Sequence, residues 1–64
     1  MSKLQELRKK KGLSQSQLAA AANMSKRTLQ HYEQGLRDIN KAQLQTAVAL
    51  ANALDCKAED LLEE

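Results

Sequence analysis

Hydrophobic positions recur along the chain at helical spacing, in short groups that capping residues and glycines separate. A serine precedes each of the first three groups, at Ser2, Ser14 and Ser25, and serine is a favourable N-cap. Gly12 and Gly35 stand where the first and third helices should end. The pattern predicts five helices, at about residues 2–11, 14–22, 25–34, 41–54 and 58–63. Because no run of β-branched residues indicates a strand, the predicted class is all-α.

The length of the chain, 64 residues, allows one domain with a small core. The fourth helix is expected to begin after an N-cap at Asn40. Leu50 flanks the inward face of this helix, and its exposed part is, with that of Leu62, a candidate dimer contact. The expected core combines one apolar face of each helix: Leu4, Leu7, Leu13, Leu18, Ala19, Ala22, Met24, Leu29, Tyr32, Ile39, Leu44, Val48, Ala51, Leu54, Cys56 and Leu61.

Residues 14–35 are interpreted as two short helices joined by a tight turn. Asn23 lies between them, and asparagine is the best non-glycine residue for a left-handed turn conformation. The second helix of the pair turns Leu29 and Tyr32 inward, at a spacing of three residues. Its outward side chains can all donate hydrogen bonds: Lys26, Arg27, Gln30, His31 and Gln34. A short helix with a cationic start and a polar outer face suits a DNA major groove.

Five motifs occur in order along the chain: Leu-Ser-Gln-x-x-Leu-Ala at 13–19, Met-Ser at 24–25, Tyr-Glu-Gln-Gly at 32–35, Arg-Asp-Ile-Asn-Lys-Ala at 37–42 and Ala-Leu-Asp-Cys at 53–56. Together they resemble the Xre family of helix-turn-helix proteins, which are also called lambda-repressor-like or Cro-like. The resemblance covers about residues 4–62. A lone Ser-Gln-x-x-Leu-Ala would be a weak signal, whereas several spaced motifs in the right order are a strong one.

The resemblance implies a five-helix, lambda-repressor-like bundle that forms a single helix-turn-helix domain over residues 1–64. It implies a sequence-specific, repressor-like transcriptional regulator of prokaryotic or phage origin, which binds double-stranded DNA as a homodimer on a palindromic operator. Asn23 replaces the usual turn glycine, and the connection after the third helix has no proline. Because the fourth helix looks longer than in compact phage repressors, the phage dimer interface is not carried over.

Contacts with DNA are expected from the third helix and from its flanks. Base edges are expected to meet Lys26, Arg27, Gln30 and His31. Phosphates are expected to meet Gln15, Ser25, Thr28, Arg37, Asn40 and Lys41. Members of the family commonly pair an arginine in the first helix with the glutamate at the end of the recognition helix. Arg8 and Glu33 stand at the matching places, so the resemblance implies a structural ion pair between them.

Charge is distributed unevenly along the chain, although the formal net charge is only +2. Residues 1–41 hold nine Lys and Arg against three acids, and residues 42–64 hold one Lys against five acids. This asymmetry is compatible with a face that meets a polyanion and with a solvated surface that has no partner. The predicted helix pair favours DNA. The basic run Lys9, Lys10 and Lys11 has two compatible interpretations, helix-end charge and phosphate binding.

Three side chains have more than one chemical interpretation. His31, the only histidine, can be a metal ligand or a general base, but its outward position favours contact with a base or a phosphate. Tyr32 can pack in the core or reach a DNA phosphate, and Leu29 on the same face favours the core. Cys56 is interpreted as a buried structural thiol, where the family carries an apolar residue. No metal-ligand spacing, phosphate loop or nucleophile constellation occurs, so no metal, cofactor or enzymatic activity is expected.

A second function of another class is a protein-interaction module, for example an antitoxin that binds its toxin through the same fold. The polar third helix argues against a purely protein-binding role, because such a face should offer aromatic or aliphatic anchors. The single cysteine fits a reducing cytoplasm. No hydrophobic run has the length of a membrane span, and the N-terminus lacks a signal peptide, so a cytoplasmic protein without membrane contact is expected.

Overall fold

Four α-helices and two 3-10 turns make up the part of the chain that the computed structural model describes, residues 2–62. The helices are α1 (Lys3–Lys11), α2 (Gln15–Ala21), α3 (Lys26–Glu33) and α4 (Leu44–Leu54). The 3-10 turns are Ile39–Lys41, before α4, and Ala58–Leu61, after it. No strand occurs between residues 2 and 62, so the predicted all-α class is confirmed.

The serine N-caps predicted for the first two helices are confirmed. The Ser2 hydroxyl accepts the backbone N–H of Gln5 at 3.0 Å. At α2, the Ser14 hydroxyl accepts the N–H of Gln17 at 3.0 Å, and the Gln17 side-chain oxygen accepts the N–H of Ser14 at 2.9 Å. This reciprocal capping box satisfies two backbone donors that the helix itself leaves unpaired. The ends of these helices are therefore defined by local hydrogen bonds.

One residue in the left-handed backbone conformation lies in each of the two connections that flank α3. Asn23 has φ 57° in the turn between α2 and α3, and the next residue, Met24, donates its N–H to the carbonyl of Ala19 at 2.9 Å. Gly35 has φ 79° just after α3, in the conformation that glycine adopts without steric cost. Both turns agree with the sequence-based prediction, and they hold α2 and α3 as a tight helix pair.

Every helix and both 3-10 turns contribute to one hydrophobic core. Its buried members are Leu4, Leu18, Ala19, Ala22, Leu29, Tyr32, Ile39, Leu50, Ala51, Leu54 and Leu61. Half-buried side chains surround them, among which Leu7, Leu13, Met24 and Cys56 were expected in the core. Helix α2 packs against both α3 and α4, and α4 also packs against the second 3-10 turn. This packing fixes the orientation of the α2–α3 pair.

The start of α4 differs from the prediction. The helix begins at Leu44, and Asn40 is not its N-cap. Instead, the Asp38 carboxylate accepts the N–H of Asn40 at 2.9 Å and caps a separate 3-10 turn. Gln43 precedes α4 without a capping side-chain bond. A local aspartate cap thus diverts the chain into a short turn before the longer helix begins.

The buried face of α4 also differs from the prediction. Leu44 and Val48 were expected in the core, but they are 76% and 42% exposed. Leu50, which was expected at the edge, is 0% exposed and packs with Ala51 and Leu54. Every residue from 47 to 51 is apolar, so the periodicity permits more than one inward face. The contacts with α2 and with the second 3-10 turn select the face that contains Leu50.

The predicted fifth helix is a single 3-10 turn, Ala58–Leu61. The N–H of Asp60 donates to the carbonyl of Lys57 at 2.9 Å, and that of Leu62 donates to the carbonyl of Glu59 at 3.2 Å. These i to i−3 hydrogen bonds are those of a 3-10 turn, which is the form that a segment of four residues commonly takes. The predicted end of this helix, at residue 63, lies outside the described residues.

Candidate nucleic-acid interface

The outer side of α3 carries the four side chains that were expected to meet base edges. Lys26 and Arg27 are the first two residues of the helix, and both are exposed. Gln30 and His31 follow them at a spacing of four residues and are half-buried. Residues four positions apart lie on the same side of a helix. The structure therefore brings these four side chains together on one polar surface, which we call the α3 outer face.

A pair of hydroxyl groups caps the start of α3. The Ser25 hydroxyl accepts the N–H of Thr28 at 3.1 Å and donates its own hydrogen to the Thr28 hydroxyl oxygen at 2.9 Å. The hydrogen of the Ser25 hydroxyl is therefore used inside the cap. The Thr28 hydroxyl retains its hydrogen for an acceptor outside the protein. Of these two expected phosphate ligands, Thr28 is the better donor in this geometry.

A buried ion pair joins α1 to the end of α3. Arg8 Nε lies 2.7 Å from Glu33 Oε2, and Arg8 Nη2 lies 3.2 Å from Glu33 Oε1. The third guanidinium nitrogen, Nη1, donates to the backbone carbonyl of Leu13 at 2.9 Å. The Arg8 and Glu33 side chains are only 10% and 2% exposed. The structure thus contains the ion pair that the family resemblance implied.

Two glutamines extend this ion pair to the α3 outer face. Gln15 Nε2 donates to Glu33 Oε1 at 3.0 Å, and Gln30 Nε2 donates to Gln15 Oε1 at 3.1 Å. These side-chain contacts form a series that runs from Arg8 through Glu33 and Gln15 to Gln30, which we call the polar chain. The sequence-based prediction assigned Gln15 to a phosphate and Gln30 to a base edge. It did not include the hydrogen bond between their side chains. No local pattern signals it, because the two residues lie on different helices.

Exposed cations lie on α1, on α3 and in the segment that follows α3. Eight of the nine Lys and Arg residues in the first 41 positions are exposed, and the exception is Arg8. Arg37 is held at the end of α3, where its backbone N–H donates to the carbonyl of His31 at 3.2 Å. Asn40 and Lys41 lie in the first 3-10 turn, also exposed. The structure therefore places these three expected phosphate ligands beyond α3 rather than on it.

Comparison with known proteins identifies the family. Residues 4–61 match the model of a helix-turn-helix family. The chain belongs to this helix-turn-helix family. It is also similar to the crystal structure of the restriction-modification controller protein C.AhdI from Aeromonas hydrophila, at 35% sequence identity and a TM-score of 0.83. That similarity covers 94% of this chain and 86% of the controller protein. No curated protein matches the chain.

The fold and these similarities together give the function of the helix-turn-helix protein. It is a DNA-binding transcriptional regulator. Helix α3 is the second helix of the helix-turn-helix and hence its recognition helix. None of the helices between residues 2 and 62 is long and apolar enough to cross a membrane.

Two remaining side chains of the helix-turn-helix protein, Tyr32 and Cys56, have defined surroundings. Tyr32 is buried in the core, which was the favoured interpretation. Cys56 is half-buried; burial, together with the carboxylates of Asp60 and Asp55, raises the pKa of its thiol. A raised thiol pKa disfavours the thiolate, which is the reactive form of cysteine. Within the described part of the chain, no group of three or more His, Cys, Asp or Glu side chains is arranged to hold a metal ion.

Proposed function

We propose that the protein binds a palindromic DNA operator as a homodimer and reads it with the α3 outer face. The single observation that carries this proposal is the division of α3 into two sides. Leu29, Tyr32 and Glu33 are buried, while Lys26 and Arg27 project from the leading end of the helix. In helix-turn-helix complexes, the N-terminal residues of the recognition helix contact base edges in the major groove.

Arg27 is the principal base reader in this proposal. Arginine donates two parallel hydrogen bonds to O6 and N7 of guanine, which is the commonest specific contact in the major groove. His31 lies four residues later, on the same side of α3, and contacts a neighbouring base. Lys26 reads a guanine or holds a phosphate. The sequence preference of the protein therefore resides in a few side chains of one helix.

Phosphate contacts flank this reading surface. Thr28 donates through its hydroxyl group. Gln15 donates through the one side-chain amide N–H that is not bonded to Glu33. Arg37, Asn40 and Lys41 contact the backbone beyond the end of α3. These contacts fix the position of the protein on the duplex but carry no base identity.

Replacement of Arg27 by Ala is expected to weaken binding to the correct operator by about 1–3 kcal/mol and to relax the preference at one base pair. Arg37→Ala is the matched control, because loss of a phosphate contact should weaken all sequences by a similar factor. The measurement is the affinity of each variant for a set of single-base operator variants. If Arg27→Ala lowered every affinity by one common factor, Arg27 would be a phosphate ligand.

Salt should weaken binding to duplex DNA steeply, because bound lysines and arginines release condensed counterions. Neutralisation of two phosphates by Arg37 and Lys41, or of three when Lys26 also holds one, corresponds to a log–log slope of about −1.8 to −2.7 per protomer, or about −3.6 to −5.4 for a dimer. Fluorescence anisotropy with a labelled duplex at increasing salt measures this slope. A flat response, or no binding at low salt, would instead favour the protein-interaction function.

Exposed apolar residues of α4 are the proposed dimer contact. Leu44 and Val48 lie four residues apart on one side of α4, and Leu62 is 47% exposed near the C-terminal end. Leu50 is excluded from this role because it is fully buried. The acidic half of the chain that carries these residues is poorly suited to DNA. A second copy can therefore pack there while both α3 helices face the operator.

Leu44→Glu and Val48→Glu are each expected to raise the dimer dissociation constant by about tenfold or more, since they place a charge in an apolar contact. Leu36→Glu is the matched control for Leu44→Glu, because Leu36 is 69% exposed, close to the 76% of Leu44, but lies outside α4. Sedimentation over a range of protein concentrations gives the dissociation constants. A tight dimer that tolerates Leu44→Glu, Val48→Glu and Leu62→Glu would place the interface elsewhere.

A further inference from the structure

Glu33 sets the direction of the hydrogen bonds along the polar chain. The Glu33 carboxylate, paired with Arg8, has no hydrogen to donate and can only accept. Gln15 must therefore turn its NH2 group towards Glu33, as it does at 3.0 Å. This turns the Gln15 carbonyl oxygen towards Gln30, which donates to it at 3.1 Å. The opposite orientation of either amide would place two acceptors or two donors against each other.

The orientation of Gln30 decides what its amide offers to a ligand. One of its two N–H groups is bound to Gln15, so one N–H and the carbonyl oxygen remain for other partners. In the major groove, adenine presents one acceptor, N7, next to one donor, its N6 amino group. Guanine presents two acceptors at the same edge, so the Gln30 carbonyl would meet guanine O6 without a hydrogen between them.

We propose that the polar chain makes Gln30 an adenine-reading residue, with Gln15 as the positioning residue that holds its amide in one orientation. This inference rests on the proposed function, because it requires α3 in the major groove. A glutamine on an isolated exposed helix rotates its amide freely and loses that freedom only on binding. Here Glu33 and Gln15 have already oriented the Gln30 side chain before DNA arrives.

Base-specific affinities of Gln30→Ala and Gln15→Ala test the proposal. The native protein should prefer adenine at one base pair by about 5- to 150-fold, the discrimination of a bidentate contact. Gln30→Ala should abolish the preference at that base pair. Gln15→Ala should relax the same preference by about 2- to 12-fold, the range for one net hydrogen bond. The double variant should be no less selective there than Gln30→Ala, because both changes act on one contact.

Gln34→Ala is the matched control, since Gln34 is an exposed glutamine at the end of α3 and outside the polar chain. It should leave the adenine preference unchanged. A second measurement needs no DNA: the side-chain amide resonances of the free protein in a nitrogen–hydrogen correlation spectrum. Those of Gln30 should differ from those of Gln34 and should move towards them in Gln15→Ala, because the hydrogen bond to Gln15 is lost.

Three results would overturn the proposal. The first is a uniform loss of affinity in Gln15→Ala with the adenine preference intact, which would make Gln15 a phosphate ligand alone. The second is an unchanged base preference in Gln30→Ala, or a preference for guanine at the base pair it affects. The third is a Gln30 amide resonance that Gln15→Ala does not move. Absence of any DNA binding by the native protein would instead overturn the proposed function, and the amide resonances would still show whether the polar chain exists.

Discussion

Replacement of Glu33 by Ala should lower the free energy of unfolding by about 3–5 kcal/mol, because it leaves the Arg8 guanidinium buried without a counter-charge. The two side chains are 10% and 2% exposed, so the guanidinium has little contact with bulk water to compensate for the lost carboxylate. A protein of this length has a total stability of about 3–10 kcal/mol. The loss is thus a large share of the total stability, and the variant should unfold at a much lower urea concentration, which urea unfolding followed by circular dichroism measures.

Two further variants define what the ion pair contributes. Lys11→Ala removes an exposed pair with Asp55, whose charged atoms are 3.8 Å apart, and should change stability by less than about 1 kcal/mol. The double variant Arg8→Met, Glu33→Leu should recover much of the loss, because it removes both buried charges together. A cost below about 1 kcal/mol for Glu33→Ala would contradict the burial of the pair, since only solvated pairs contribute so little.

Leu50→Ala should destabilise the protein by about 2–5 kcal/mol, the usual cost of a cavity at a fully buried leucine. Leu50 is 0% exposed and belongs to the core that α4 forms with the rest of the protein. Leu44→Ala is the matched control on the same helix, where the side chain is 76% exposed, and should change stability by no more than about 0.5 kcal/mol. Urea unfolding of the two variants gives the comparison.

If Leu44→Ala lowered the stability more than Leu50→Ala did, the buried face of α4 would be the one that the sequence pattern predicted. The expected order also determines how dimerisation can be studied. Leu50→Glu would unfold the protein by placing a charge in the core, so loss of the dimer in that variant would not locate the interface. Leu44→Glu alters only an exposed position and is the appropriate probe.

Local chemistry in the sequence was sufficient to predict α1, α2, α3 and the turns between them. The hydrogen bonds of the caps at Ser2 and Ser14 and of the turns at Asn23 and Gly35 span five residues or fewer. Such contacts depend little on the rest of the fold, so they can be predicted from neighbouring residues alone. The polar surface of α3 was predicted for the same reason, because its buried positions, Leu29 and Tyr32, are spaced unambiguously.

By itself, the sequence determined an all-α protein with a helix-turn-helix and a polar recognition helix. Only the tertiary structure decided which face of α4 is buried, because an almost wholly apolar stretch offers several faces and the packing partners select one. It also decided that Gln15 bonds Gln30 and Glu33 across two helices. The physical reason is the same in both cases: these contacts join residues that are distant in the chain, and hydrophobic periodicity carries no information about which elements meet.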